Sequence, residues 1–166
     1  VSKVMHFPVA MTLSDFGDFY NRLAHTIQSV ALRANGIPSM AVRNMLICLQ
    51  TMQFFLRTGL GELAKSFGES IANPTMGIGM GNGLGPPTCA VLSVLIVNAY
   101  KRLGHGAKLT SAYMARMFLL AAVMYVDDTD LLHAARSPCA SDEELIEQVQ
   151  DATTDWGMLA QATGGM

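Results

Sequence analysis

The stretch Phe118-Leu119-Leu120-Ala121-Ala122-Val123-Met124-Tyr125-Val126-Asp127-Asp128-Thr129-Asp130-Leu131-Leu132-His133 decides the fold. An apolar run ends on adjacent carboxylates, and another apolar run follows them. Over Met117 to Tyr125, periodicity alone does not separate a buried strand from a buried helix. Thr129 to His133 suits a strand, so the two runs are expected to form a hairpin with the acids at its tip. Neighbouring acids disfavour each other's ionised forms, and a divalent cation resolves that conflict. Tyr125-Val126-Asp127-Asp128 is therefore read as a metal site at a strand turn. Taken by itself, the tetrapeptide reads equally as a solvated Asp-Asp turn.

Upstream, His6 to Ser14 mixes apolar and β-branched residues and leads into Asp15, which predicts a short strand. Tyr20, Leu23, Ile27, Val30 and Ala34 then recur at helical spacing, with Gly36 and Pro38 as the stop. Ser39 is expected to cap a second helix whose apolar face carries Val42, Met45 or Leu46, Leu49 and Met52. Phe54 to Ser66, with Gly59 and Gly61, predicts a hairpin or irregular loop. Gly77 to Gly85 is glycine-dense. Pro86 and Pro87 suit the first turn of a helix carrying Val91, Leu92, Leu95 and Ala99, closed by Gly104. Ser141-Asp142-Glu143-Glu144 is a capping box, followed by a stripe of Leu145, Val149, Ala152, Trp156 and Leu159 up to Gly164-Gly165. The order of elements predicts one α+β domain, helices packed on one face of a small antiparallel sheet.

Composition narrows the function. The 166 residues are 51% hydrophobic and 14% charged, with net charge -2 and no basic run. That is more apolar and less charged than most soluble domains. Thr88 to Ala99 and Met117 to Val126 are both too short to span a membrane. The start Val1-Ser2-Lys3-Val4 lacks the pattern of a secretory signal. Cys48, Cys89 and Cys139 form no C-x-x-C and read as buried or idle thiols of a reducing compartment. An intracellular location, cytoplasm or nucleus, is expected, with no secretion and no membrane partner. From Ser141 to Gln161 there is no Lys or Arg, which speaks against a membrane-surface helix.

A second acidic segment joins the first: Asp15-Phe16-Gly17-Asp18-Phe19-Tyr20 ends another predicted strand. If that strand pairs beside the hairpin, the carboxylates meet at one sheet edge. Such a cluster can hold two Mg²⁺ ions about 3.5–4 Å apart. Together with Tyr125-Val126-Asp127-Asp128 and the intervening Gly77-Ile78-Gly79-Met80-Gly81-Asn82-Gly83-Leu84-Gly85-Pro86, the segment resembles the palm of a reverse transcriptase of a retroelement. Phe54-Phe55-Leu56-Arg57-Thr58 and Trp156 to Gly165 resemble stretches of the same family, so the likeness covers most of the chain.

The resemblance implies a polymerase palm with part of the fingers over residues 1–166, the thumb absent. It implies RNA-directed DNA polymerase activity, transferring a dNTP to a primer 3′-hydroxyl on an RNA or DNA template. Asp15, Asp127 and Asp128 would hold two Mg²⁺ ions, or Mn²⁺ in their place, with the backbone carbonyl of Phe16 as a further ligand. Gly17 and Asp18 would lie along the triphosphate, Tyr20 under the sugar, Met80 and Gly81 against the template or new base pair, and Tyr125 at the primer terminus. Periodicity also allows Tyr20 to be a core residue. Met80 departs from the family's usual Gln and cannot donate an amide hydrogen bond. The remaining fingers and the thumb of a parent polyprotein would be needed as partners, so the chain alone is expected not to extend a primer. Two other readings follow from the residues: a degenerate or domesticated palm that binds RNA or protein without catalysis, and a plain glycine linker at Gly77 to Gly85. No G-x-G-x-x-G or G-K-[ST] occurs there, which excludes the usual dinucleotide and P-loop patterns.

Overall fold

Alternating exposure along Val9–Asp15 marks a strand with one face turned inward, and this is β1. The computed structural model describes residues 8–66, 68, 77–79, 81–110 and 116–164. After β1 come α1 (Phe19–Arg22), α2 (His25–Ala34), α3 (Ser39–Gln50), β2 (Arg57–Thr58) and β3 (Gly61–Glu62). The order continues with α4 (Gly85–Arg102), β4 (Ala107–Thr110), β5 (Met117–Leu120), β6 (Ala122–Tyr125), β7 (Asp128–Ala134) and α5 (Asp142–Thr163). The described residues thus form a mixed chain of helices and small antiparallel sheets. They fall into two compact units, Val1–Phe19 with Leu92–Met166, and Tyr20–Val91.

In the first unit, β1, β7 and β6 lie side by side in that order, all antiparallel. Val9 faces Ala134 and Asp15 faces Asp128 across the first pair. On one face Thr129, Leu131 and His133 are buried. α5 covers that face: the Trp156 indole N–H donates to the Ser14 hydroxyl at 3.2 Å, and the Gln148 amide donates to the Ala134 carbonyl at 3.1 Å. The opposite face presents Val9, Met11, Leu13, Val123 and Tyr125, all exposed. Met117 to Tyr125 is strand on both sides of Ala121, but β5 pairs with β4 and β6 with β7. Gly106, at φ 117°, lies so close to Ala121 that a Cβ there would sit 2.9 Å from the Ala121 Cα. α5 begins as its sequence predicts: the Ser141 hydroxyl accepts from the Glu144 N–H and the Glu144 carboxylate accepts from the Ser141 N–H. Gly164 ends it at φ 91°.

In the second unit, the helix predicted through Leu23 is broken. Ala24 is extended, and α2 starts anew at His25. The carbonyls freed at the break find other donors. The Leu23 carbonyl takes the Gly77 N–H at 3.1 Å and the buried Gln28 amide at 2.9 Å, and the Tyr20 carbonyl takes the Ile78 N–H at 2.7 Å. Tertiary hydrogen bonds thus replace helical ones. Ser39 is the first residue of α3, not its cap; Pro38 holds the cap position without a side-chain bond. Val42 and Leu49 are buried on α3 as expected, and β2 with β3 forms the hairpin read within Phe54 to Ser66. α4 takes Pro86 and Pro87 into its first turn, but its buried stripe is Thr88, Cys89, Leu92, Ile96 and Tyr100. Leu95 is exposed, so the packed face is rotated from the one predicted.

His133, buried on β7, bonds to the Thr12 hydroxyl at 3.1 Å. Desolvation, and then the charge of His105, holds its pKa below the ordinary value. The unfolded chain therefore binds a proton that the folded chain refuses, and stability falls as pH drops through the usual histidine value. Urea denaturation at pH 7 and pH 5 should show a smaller acid loss in His133→Gln, whose amide can keep the Thr12 bond. Equal losses would remove His133 from this role.

Candidate functional site

The site is built by register. β1 ends on Asp15 and β7 begins on Asp128, and these two are direct cross-strand partners. Tyr125 on β6 is the other partner of Asp128, so Val126 and Asp127 form the two-residue turn between. The Phe16 N–H donates to the Asp127 carbonyl at 3.1 Å, which carries the pairing one step past the strand. Asp15, Asp127 and Asp128 are thus gathered at one end of one sheet. Directly opposed like charges destabilise a strand pair; exposure to solvent keeps that cost small.

An aromatic stack supports this end from below. Phe16 is 2% exposed, with its ring centroid 4.9 Å from that of Phe19 and 5.9 Å from that of Trp156. Trp156 meets Tyr100 edge-on at 5.4 Å, and Tyr100 stacks on His105 at 4.7 Å. His105 Nε2 is 2.7 Å from the Asp155 carboxylate. Burial, and then the Asp155 charge, pushes the Tyr100 hydroxyl up to about 12, so it stays protonated. The acids lie next to a residue whose side chain is locked, a condition for precise placement of functional groups.

The turn itself is strained. Val126 has φ 59°. A β-branched residue in the left-handed region is a genuine outlier. A positive φ at the first turn position is a place for glycine. Asp18, at φ 56°, is the only other non-glycine residue with positive φ among the described residues.

The other residues read from the sequence are distributed as follows. Gly17 and Asp18 are exposed just after Phe16. Tyr125 is 79% exposed at the end of β6. Tyr20 is half-buried, and its ring lies against Gly85, where a Cβ would be 3.0 Å from it. Gly79 and Gly81 have positive φ, and a Cβ at either meets nothing within 4 Å. Met80 lies outside the described residues. Among the described residues no group of three or more Asp, Glu, His or Cys side chains is arranged to hold a metal ion. The backbone brings the acids together; their exposed side chains are free to turn about χ1 and χ2. Two residues that sequence reasoning passed over stand out: His25 and Gln50, linked to each other and to Gly77. Their partner lies far along the chain, and no local pattern marks it.

Val126→Gly should relieve the left-handed strain, worth about 1–2 kcal/mol, less the entropy of adding a glycine, about 0.5–1 kcal/mol. A rise in urea stability is expected. A loss of stability would show that Val126 contributes more through packing than its backbone costs.

No protein-family model matches the chain, and no curated protein matches it.

Proposed function

We propose that this chain is the palm part of a reverse-transcriptase-like polymerase, joining deoxynucleotides to a primer 3′-hydroxyl on a nucleic-acid template. The observation that carries the reading is the register that sets Asp15 opposite Asp128, with Asp127 in the adjoining turn. Acids far apart in sequence meet at one sheet end, in the order of the family's motifs. Among the described residues none of the three is held in an ion pair, so their oxygens are available as hard ligands suited to Mg²⁺ or Mn²⁺. A pair of such ions supplies activation of the attacking hydroxyl and neutralisation of the leaving pyrophosphate.

The chain's own residues then have distinct tasks. Asp15, Asp127 and Asp128 hold the cations, and the carbonyl of Phe16 adds an oxygen. Gly17 and Asp18 offer backbone along the triphosphate. Tyr20 limits the space at the sugar and so favours deoxynucleotides. Gly81 lets the template or new base pair approach the backbone. Exposed Tyr125 contacts the primer end. Position and charge account for most of phosphoryl transfer, which is why so few side chains are needed. A second reading is a non-catalytic palm kept as an RNA- or protein-binding module, and Met80 in place of the family's usual Gln favours it.

Mn²⁺ titration, followed by electron paramagnetic resonance of the free ion, separates the two. Asp15→Asn and Asp127→Asn should each weaken Mn²⁺ binding about tenfold or more, the loss of about 1.4 kcal/mol of charge-assisted ligation. Asp142→Asn, at the start of α5, should leave it unchanged. Equal affinity in wild type and Asp127→Asn would discard the metal site and favour the binding module.

A further inference from the structure

We infer that His25 is a positioning residue for the glycine segment, fixing the backbone that meets the new base pair. The assignment rests on the polymerase reading above. His25 Nε2 lies 2.6 Å from the Gly77 carbonyl, and its Nδ1 lies 3.1 Å from the Gln50 side-chain nitrogen. A carbonyl only accepts, so Nε2 carries the hydrogen; Nδ1 then accepts from the Gln50 amide. Gln50, at the end of α3, therefore sets both the tautomer and the angle of the ring.

The same peptide is held from its other side. The Gly77 N–H donates to the Leu23 carbonyl at 3.1 Å and the Ile78 N–H to the Tyr20 carbonyl at 2.7 Å. Gly77 is buried with φ 81°, and a Cβ there would run into the Tyr20 carbonyl and the Asn21 backbone. No other residue fits. One end of the segment is thus clamped at three backbone atoms, while Gly79 and Gly81 beyond it face open space. Beyond the clamp, the Ile78 carbonyl accepts from the Asn82 side-chain amide and the Gly79 carbonyl from the Asn82 N–H, both at 3.4 Å, and a backbone held in this way and left uncovered has little ordering left to do on binding. His25 does not touch substrate; it acts through Gly77.

The experiment uses the whole chain, a fluorescent DNA primer ended by a dideoxynucleotide and annealed to an RNA template, and the next complementary dNTP in Mn²⁺. Anisotropy against dNTP concentration reads binding without chemistry. His25→Ala should weaken dNTP binding about tenfold, the effect of one lost hydrogen bond at the top of its usual range. Mn²⁺ affinity of the acids should stay at the wild-type value. His25→Gln, whose amide nitrogen can reach the same carbonyl, should restore most of the loss. Gln50→Leu keeps His25 but frees its ring, and about a threefold loss is expected. Amide exchange at Ile78 should rise in His25→Ala and fall back in His25→Gln. Unchanged dNTP binding in His25→Ala would overturn the assignment, as would a loss that His25→Gln does not repair. Mn²⁺ affinity that Asp127→Asn leaves at the wild-type value would instead remove the polymerase reading, and the assignment with it.

Discussion

The pairing of β1 with β7 is the constraint on which the site depends. Side chains alternate along a strand, so a slip of one residue would turn Asp15 inward and expose Ser14 and Thr12. Several bonds oppose that slip. Thr12 meets His133 on the buried face, Ser14 receives the Trp156 indole, and the Phe16 N–H reaches the Asp127 carbonyl. Each of these is lost in the neighbouring register. The opposed pair Asp15 and Asp128 is therefore imposed by what lies beneath it, against the small repulsion between the two carboxylates.

What lies beneath is mainly aromatic. Phe19, Phe16, Trp156 and Tyr100 form a continuous run of ring contacts that ends on His105 and Asp155. Ring pairs of this kind add about 0.5–1.5 kcal/mol each beyond burial. The run joins the end of β1 to the second half of α4 and the middle of α5. The Tyr100 hydroxyl is buried without a partner among the described residues. An unsatisfied group of this kind costs about 1–3 kcal/mol.

Much of this was legible in the chain. The strand before Asp15, the hairpin around Asp127, the capping box at Ser141 and the stripe through Trp156 each rest on a local pattern. At Leu23, Ala121 and Leu95 the differences come from long-range contacts. At Leu23 and Ala24 the helical periodicity continues, but the carbonyls are taken by Gly77, Ile78 and Gln28, so tertiary bonds override the local preference. Within Met117 to Tyr125, Ala121 looks like any apolar residue. Its place between two sheets follows from the close approach of Gly106. Leu95 looked as buriable as Leu92; which of them packs depends on neighbours that periodicity cannot see. The acids were found from their spacing and company, whereas the His25 contact to Gly77 leaves no trace in either local sequence.

The distribution of left-handed backbone adds a separate argument about the acids. At Gly36, Gly61, Gly77, Gly79, Gly81, Gly104, Gly106 and Gly164 a positive φ falls on glycine, the residue that adopts it without penalty. The non-glycine exceptions among the described residues are Asp18 and Val126, close to Asp15 and between Tyr125 and Asp127 respectively. Among the described residues the rule thus holds elsewhere and is broken near the paired carboxylates. A turn that only had to reverse the strand and stay solvated would be better served by glycine or asparagine at the position of Val126. Strain of this kind fixes the backbone under the two carboxylates while their side chains stay free to turn, the placement that a cation-binding site would use.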